Sequence, residues 1–183
     1  MSITYVVQVA DKPGVLNRVA SLVRRRGYNI ESLTVGHAGT PGLSRITLVV
    51  DADPGAAARI EANLYKLVHV KSVQNVTEMP TVFRYLALIK VAATAESRSQ
   101  IIQLVDVFRA RVVDVASDSL IIEITGADEK IDSLLEALRP FGVLEVAKTG
   151  CLAMSRGASA KGTQTPHTGA GDHAAEAGVS YSV

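Results

Sequence analysis

The chain has 183 residues, 48% of them hydrophobic and 20% charged, with a formal net charge of +1. That is enough apolar material for one or two cored domains, and near-neutral charge argues against a protein whose main task is gripping nucleic acid. A single cysteine, Cys151, excludes an internal disulfide and fits a reducing compartment, and no apolar run is long enough to cross a bilayer.

Met1 leads directly into a β-rich segment, with no basic region, apolar span or Arg-rich leader, so neither secretion nor organelle import is signalled and a cytoplasmic protein is expected. Residues 3–9, Ile-Thr-Tyr-Val-Val-Gln-Val, read as a strand. Val15, Leu16, Val19, Ala20, Leu22 and Val23 then recur at helical spacing. Between strand and helix lies Asp11-Lys12-Pro13-Gly14. Pro13 has no N–H to lose at a helix start and Gly14 turns the backbone closely, which leaves the first helical N–H groups facing open space. Such a terminus favours a carboxylate or phosphate. Asp11 on the same loop repels a phosphate but pairs with an ammonium, so a zwitterion suits both halves. An isolated D-x-P-G is more often only a shaped turn and helix cap. Asn29, just after Gly27 at the helix end, shifts the balance, because it is expected to return to the sheet end that the loop leaves, with an amide that donates and accepts.

A Gly/Pro-punctuated connection over residues 34–43 precedes an alternating strand, residues 44–51, with Ile46, Leu48 and Val50 on one face. Asp53 as N-cap and Pro54 at the first helical position open a second helix with Ala57, Ile60, Leu64 and Leu67 inward. A fourth strand over residues 70–77 completes a unit spanning residues 1–78, and Pro80 marks residues 79–82 as a linker. The order then repeats over residues 83–157: a strand at 83–92, a helix at 100–109 with Ile101, Leu104, Val105 and Phe108 at helical spacing, strands at 112–115 and 120–125, a helix at 128–138, and a strand at 143–147. Two βαββαβ units in tandem predict an α+β fold of two ferredoxin-like modules, helices on one face of each antiparallel sheet. In the second unit the first loop reads Ala93-Thr94-Ala95-Glu96-Ser97, without Pro or Gly, which keeps the scaffold but not the pocket. Residues 158–183 fall to Ala, Gly, Ser, Thr and His and are expected to be a disordered tail.

Other reactive side chains form no catalytic or metal pattern. His37, His69, His167 and His173 lack ligand spacing, Cys151 reads as a small buried apolar residue, and no Ser-His-Asp, Walker or GxGxxG arrangement is present. Arg24-Arg25-Arg26 complements the negative end of the first helix, with a protein contact as the sharper alternative.

The run D-K-P-G-V-L-x-R-V-A-x-L-x-x-R-R-G-Y-N-I-E-S-L-T-V-G, residues 11–36, resembles the ACT domain of small regulatory subunits of acetohydroxyacid synthase (acetolactate synthase). Residues 108–115 and 142–150 resemble the C-terminal domain of the same family, and the likeness covers about residues 3–157. The resemblance implies a non-catalytic regulatory subunit that activates a separate catalytic large subunit and confers feedback inhibition, typically by valine, in valine, leucine and isoleucine synthesis. Thiamine diphosphate, Mg²⁺ and FAD would belong to that catalytic partner, with no cofactor in this chain. It also implies side-by-side pairing of modules, and long alternating edge strands independently ask for a partner edge, so a homodimer is expected, without nucleic-acid or membrane partners.

Carried onto this sequence, the effector site comprises backbone N–H groups of Gly14, Val15 and Leu16 for the carboxylate, Asp11 for the ammonium, and Asn29 and Ile30 from the other protomer on the far side. Some family members carry Asn where this chain has Asp11. No Arg or Asp stands ready to read a polar side chain, so a small branched aliphatic amino acid is the expected guest. The alternatives are a stand-alone amino-acid sensor acting on another enzyme or on transcription, and an enzyme in its own right. Deleting residues 158–183 is expected to leave both activation and inhibition of a cognate catalytic subunit unchanged in an acetolactate assay. Loss of either would give the tail a role.

Overall fold

The computed structural model describes residues 1–157, and the expected tail at 158–183 lies outside the described residues. The first module runs β1 (Ser2–Ala10), α1 (Val15–Arg25), β2 (Asn29–His37), β3 (Leu43–Asp51), α2 (Ala57–Tyr65) and β4 (Val70–Asn75). Its sheet has the order β2-β3-β1-β4, and every neighbouring pair is antiparallel. Alternation along the strands sends Ile3, Tyr5, Val7 and Val9 of β1, with Ile46, Leu48 and Val50 of β3, to the helix side. There they meet Val15, Val19, Leu22 and Val23 of α1, and Ile60 and Leu64 of α2. Tyr5 is the bulkiest member, and its hydroxyl donates to the Ala57 carbonyl at 2.9 Å, so the core accepts a phenol without orphaning a polar atom. Burial drives its pKa up, which keeps it neutral.

Helix α1 ends as its sequence demands. Gly27 takes φ +75°, its N–H bonds the Arg24 carbonyl at 3.0 Å, and Tyr28 N–H bonds the Val23 carbonyl at 3.2 Å. The start of α2 differs from expectation. A 3-10 turn over Pro54–Ala56 comes first, and Ala56 then stands at the N-cap without a side-chain bond. Asp53 therefore opens that turn, accepting Ala56 N–H on its backbone carbonyl at 2.8 Å, rather than capping α2.

The second module repeats the plan with β5 (Thr81–Ala92), α3 (Arg98–Val107), β6 (Arg111–Val115), β7 (Ser119–Gly126), α4 (Asp128–Leu138) and β8 (Val143–Lys148). Its order β6-β7-β5-β8 is that of the first sheet. The repeat extends to single bonds at the end of the central strand. Ala10 N–H donates to His69 O at 2.8 Å and Asp11 N–H to Gly42 O at 2.9 Å; Ala92 N–H donates to Gly142 O at 2.9 Å and Ala93 N–H to Asp118 O at 2.8 Å. One strand was not foreseen. β9 (Leu152–Ser155) pairs with Thr81–Arg84, and this partner draws Thr81 into β5 from the expected linker.

The 150–155 segment also joins the modules. It crosses the face of the first sheet that the helices leave open, where Ala153 packs with Val6, Val76 and Phe83. Arg45 Nη2 donates to the Ala153 carbonyl at 2.6 Å, and Cys151 N–H donates to Ser32 Oγ at 2.7 Å. Gly150 is required by close approach: a Cβ there would lie 2.5 Å from Thr34 Oγ1, 2.8 Å from Ser32 Oγ and 3.2 Å from the Leu33 carbonyl. The Gly150→Ala substitution should therefore push the modules apart. It is expected to cost ~1–3 kcal/mol in urea denaturation and to speed amide exchange at Cys151.

Candidate functional site

The site grows from the end of β1, which the bonds from Ala10 and Asp11 pin between the β2–β3 turn and the α2–β4 connection. Gly14 follows with φ +81° and ψ −6°, the left-handed region that L side chains avoid. It is the N-cap of α1, yet no side chain caps the helix and its first turn holds no acidic residue. Arg18 is the first residue to join the helical ladder, bonding Gly14 O at 3.1 Å, while Val15 N–H reaches Lys12 O only at 3.4 Å. The amides of Leu16 and Asn17 are left as donors at the positive end of the helix dipole. A Cβ on Gly14 would meet no atom within 4 Å, so the space above the loop is open and only the backbone angle demands glycine.

Val15 is buried and anchors the terminus in the core, whereas Leu16 is 41% exposed and offers apolar surface beside the free amides. Asp11 is exposed, 3.5 Å from His37 Nδ1 at the end of β2. His37 was missed as part of this site, because only the register of β2 on β3 brings residues 11 and 37 together.

Asn29 and Ile30 do not return to the loop within one chain, contrary to expectation. Asn29 pairs with Asp51, which pairs with Ser2, so both residues stand at the start of β1, whereas Gly14 lies beyond its end. The reason is topological. Helix α1 carries the chain back along the sheet, so β2 sets off from the same end as β1 and runs parallel to it. Nine residues of β2 separate the two ends by about 30 Å, far beyond the reach of a side chain. Around the start of β2, Arg24, Gly27, Tyr28, Asn29 and Ile30 line a depression of about 470 Å³.

In the second module the corresponding loop is bonded to itself and to its neighbour. Thr94 and Ser97 bond each other reciprocally, Thr94 N–H to Ser97 Oγ at 3.0 Å and Ser97 N–H to Thr94 Oγ1 at 3.2 Å. Arg98 Nη2 then reaches the carbonyls of Ala116 at 2.8 Å and Ser117 at 3.0 Å. A guanidinium clamps the loop to the β6–β7 turn where the first module has open space.

Residues 6–72 match the family model described as AHAS small subunit-like ACT domain, and residues 84–157 match small subunit of acetolactate synthase. A probable acetolactate synthase small subunit from Methanothermobacter thermautotrophicus is 50% identical over 150 residues, 81% of this chain and 89% of that protein. This chain belongs to the acetolactate synthase small-subunit family. The small subunit from Mycolicibacterium smegmatis is 48% identical over 154 residues, 84% of this chain and 91% of its own length. The crystal structure of the Thermotoga maritima small subunit superposes with a TM-score of 0.80 at 42% identity, covering 85% of this chain and 98% of that one. The two-module ACT-like architecture is thus shared with a solved small subunit.

Among the described residues, no group of three or more His, Cys, Asp or Glu side chains could hold a metal ion, and no helix is long and apolar enough to cross a membrane. His167 and His173 lie outside the described residues. Cys151 is 1% exposed in this small-subunit fold, and burial pushes its thiol above the ordinary value, outweighing the lowering effect of its bond to Tyr85. Native protein at pH 8 should therefore resist iodoacetamide, with rapid labelling only in urea. Mass spectrometry of the alkylated chain checks this, and equal rates in both states would refute the buried, protonated thiol.

Proposed function

We propose that the chain is a non-catalytic regulatory subunit of a thiamine-diphosphate-dependent acetolactate synthase, acting in the cytoplasm as a homodimer that binds valine and passes the signal to a separate catalytic chain. The observation that carries this reading is the uncapped start of α1 at Gly14, placed on the first sheet with β2 at its open edge. Two copies related by a two-fold axis that crosses that edge perpendicular to β2 would set their β2 strands antiparallel. Pairing of this kind brings the start of one β2 against the end of the other. Asn29 and Ile30 of the partner subunit then approach Asp11, Gly14 and His37, and the separation found within one chain becomes the reason for dimerisation.

In such a site the effector carboxylate accepts hydrogen bonds from the amides at the start of α1, each charge-assisted bond contributing ~1.5–3 kcal/mol. The Asp11 carboxylate receives the ammonium directly or holds the loop that does so. The branched side chain lies on Leu16 and on Ile30 of the partner subunit, where burial of a Val-sized group contributes ~1.5–3 kcal/mol. Because both protomers build the site, valine binds the paired arrangement and not the separated one. A preference of ~1–3 kcal/mol between two arrangements of the pair suffices for graded feedback inhibition. Thiamine diphosphate, Mg²⁺ and FAD belong, on this reading, to the catalytic large subunit, which the small subunit also activates.

Mixing the chain with its cognate catalytic subunit and assaying acetolactate with and without valine tests the reading. Activation with valine inhibition is the expected result. Binding of valine with no effect on the synthase would assign the chain to amino-acid sensing elsewhere, and acetolactate formation without a partner would make it an enzyme. Gly14→Asp should place a like charge against the effector carboxylate at a backbone angle unsuited to any side chain, costing several kcal/mol of binding. Its complex should lose valine inhibition while keeping activation, and full retention of valine sensitivity in a kinetic titration would move the site elsewhere.

A further inference from the structure

The two modules enclose a cleft of about 900 Å³, remote from the Gly14 loop. One wall is the open face of the first sheet together with the start of β2. The other is the first turn of α4 with the end of β8, and Phe83 and Tyr85 of β5 also line the space. Its charges do not balance. Lys148 is the one cation among the lining residues, and it is already engaged: it is ion-paired with Asp128, lies 3.8 Å from Asp132, and stands 5.1 Å above the Tyr85 ring. Glu31 of the first module and Glu129 of the second line the same cleft and have no cationic partner among the described residues. Glu31 accepts only the Ser2 hydroxyl, at 2.6 Å.

Burial and the neighbouring Cys151 thiol push the Tyr85 phenol up, and Glu129 and Glu31 add smaller contributions from opposite modules. Lys148 already stands over this ring, so the ring accepts a cation and what remains open of it offers an apolar wall. The carboxylates do not gather as a metal site would, and Ca²⁺ or Mg²⁺ would demand six or more oxygens close together. An ammonium needs only two or three acceptors and tolerates an aromatic wall. A free carboxylate is unwelcome, because Asp128 and Glu129 already occupy the first turn of α4.

We propose that this cleft is a second ligand site, for a small aliphatic amine whose ammonium is held by Glu31 or Glu129 and whose carbon body lies on Phe83 and Tyr85. A diamine fits best, since one ammonium serves each module and the ligand ties the two together. The site is separate from that for the proposed amino-acid effector, whose carboxylate the cleft repels.

Isothermal titration of the full chain with 1,4-diaminobutane tests this. One saturable site per chain is expected, with n-butylamine weaker and valine unable to compete. Glu31→Gln and Glu129→Gln change exposed carboxylates to isosteric amides, and each should weaken diamine binding about tenfold or more. Gly14→Asp should leave diamine binding intact, which keeps this site distinguishable from the valine site. Absence of saturable binding at millimolar diamine, wild-type affinity in both Gln variants, or displacement by Mg²⁺ at the same concentration would overturn the proposal.

Discussion

Insertion of β3 between β1 and β2 is the constraint on which the rest of the molecule depends. Because β3 is antiparallel to both, β1 and β2 run parallel and share an end, and β2 is left on the edge of the sheet. The Gly14 terminus and the Asn29 corner are thereby held at opposite ends of one rigid layer. A site needing both cannot be assembled by loop motion, since the strands between them are locked into one register by the buried rows of β1 and β3. The proposed two-fold pairing at the edge would satisfy such a layer and would cover the unpaired N–H and C=O groups of β2 in the same step.

The second module shows how one frame serves two purposes. The same two backbone bonds fix the end of β1 and of β5, and the residue accepting the first of them has positive φ in each, His69 at 77° and Gly142 at 91°. What differs is the occupant of the loop. Gly14 opens α1 with a left-handed backbone and free space above it, whereas Arg98, at the start of α3, satisfies the carbonyls of the adjacent turn. A guanidinium in that position supplies positive charge to main-chain oxygens and ties the second loop down. The first loop is left open and the second is fastened to its neighbouring turn.

Between the modules the contact is close but polar. Ala153, Val6 and Val76 form a small apolar cluster, while Thr34 Oγ1, Thr47 Oγ1 and Arg45 Nε are buried without a partner beside it. Burial works against the Arg45 charge, and its one bond across the interface goes to a neutral carbonyl. Each orphaned polar atom costs roughly 1–3 kcal/mol. Such an interface holds position through shape, above all through the absence of a side chain at Gly150, more than through strong attraction. This is a junction whose occupancy or geometry a ligand in the adjoining cleft can bias.

Most of the secondary structure was legible in the residues themselves. The period of Ile131, Leu134, Leu135 and Leu138 marks α4 over its observed span, and alternation marks β3, because the burial of a helix stripe or a strand face is written in local order. The family, the repeated module and the uncapped Gly14 turn were equally visible, since turn chemistry resides in a few adjacent residues. Asp53 misled because a 3-10 turn intervened before α2, and β9 escaped because Leu152–Ser155 is a strand only by virtue of its pairing with Thr81–Arg84. The position of Asn29 relative to Gly14, the meeting of His37 with Asp11, the Arg98 clamp on the β6–β7 turn and the cleft between Glu31 and Glu129 were decided by the tertiary structure alone. Each depends on which strands lie side by side and in what direction, a property of the whole buried layer that no short run of residues encodes.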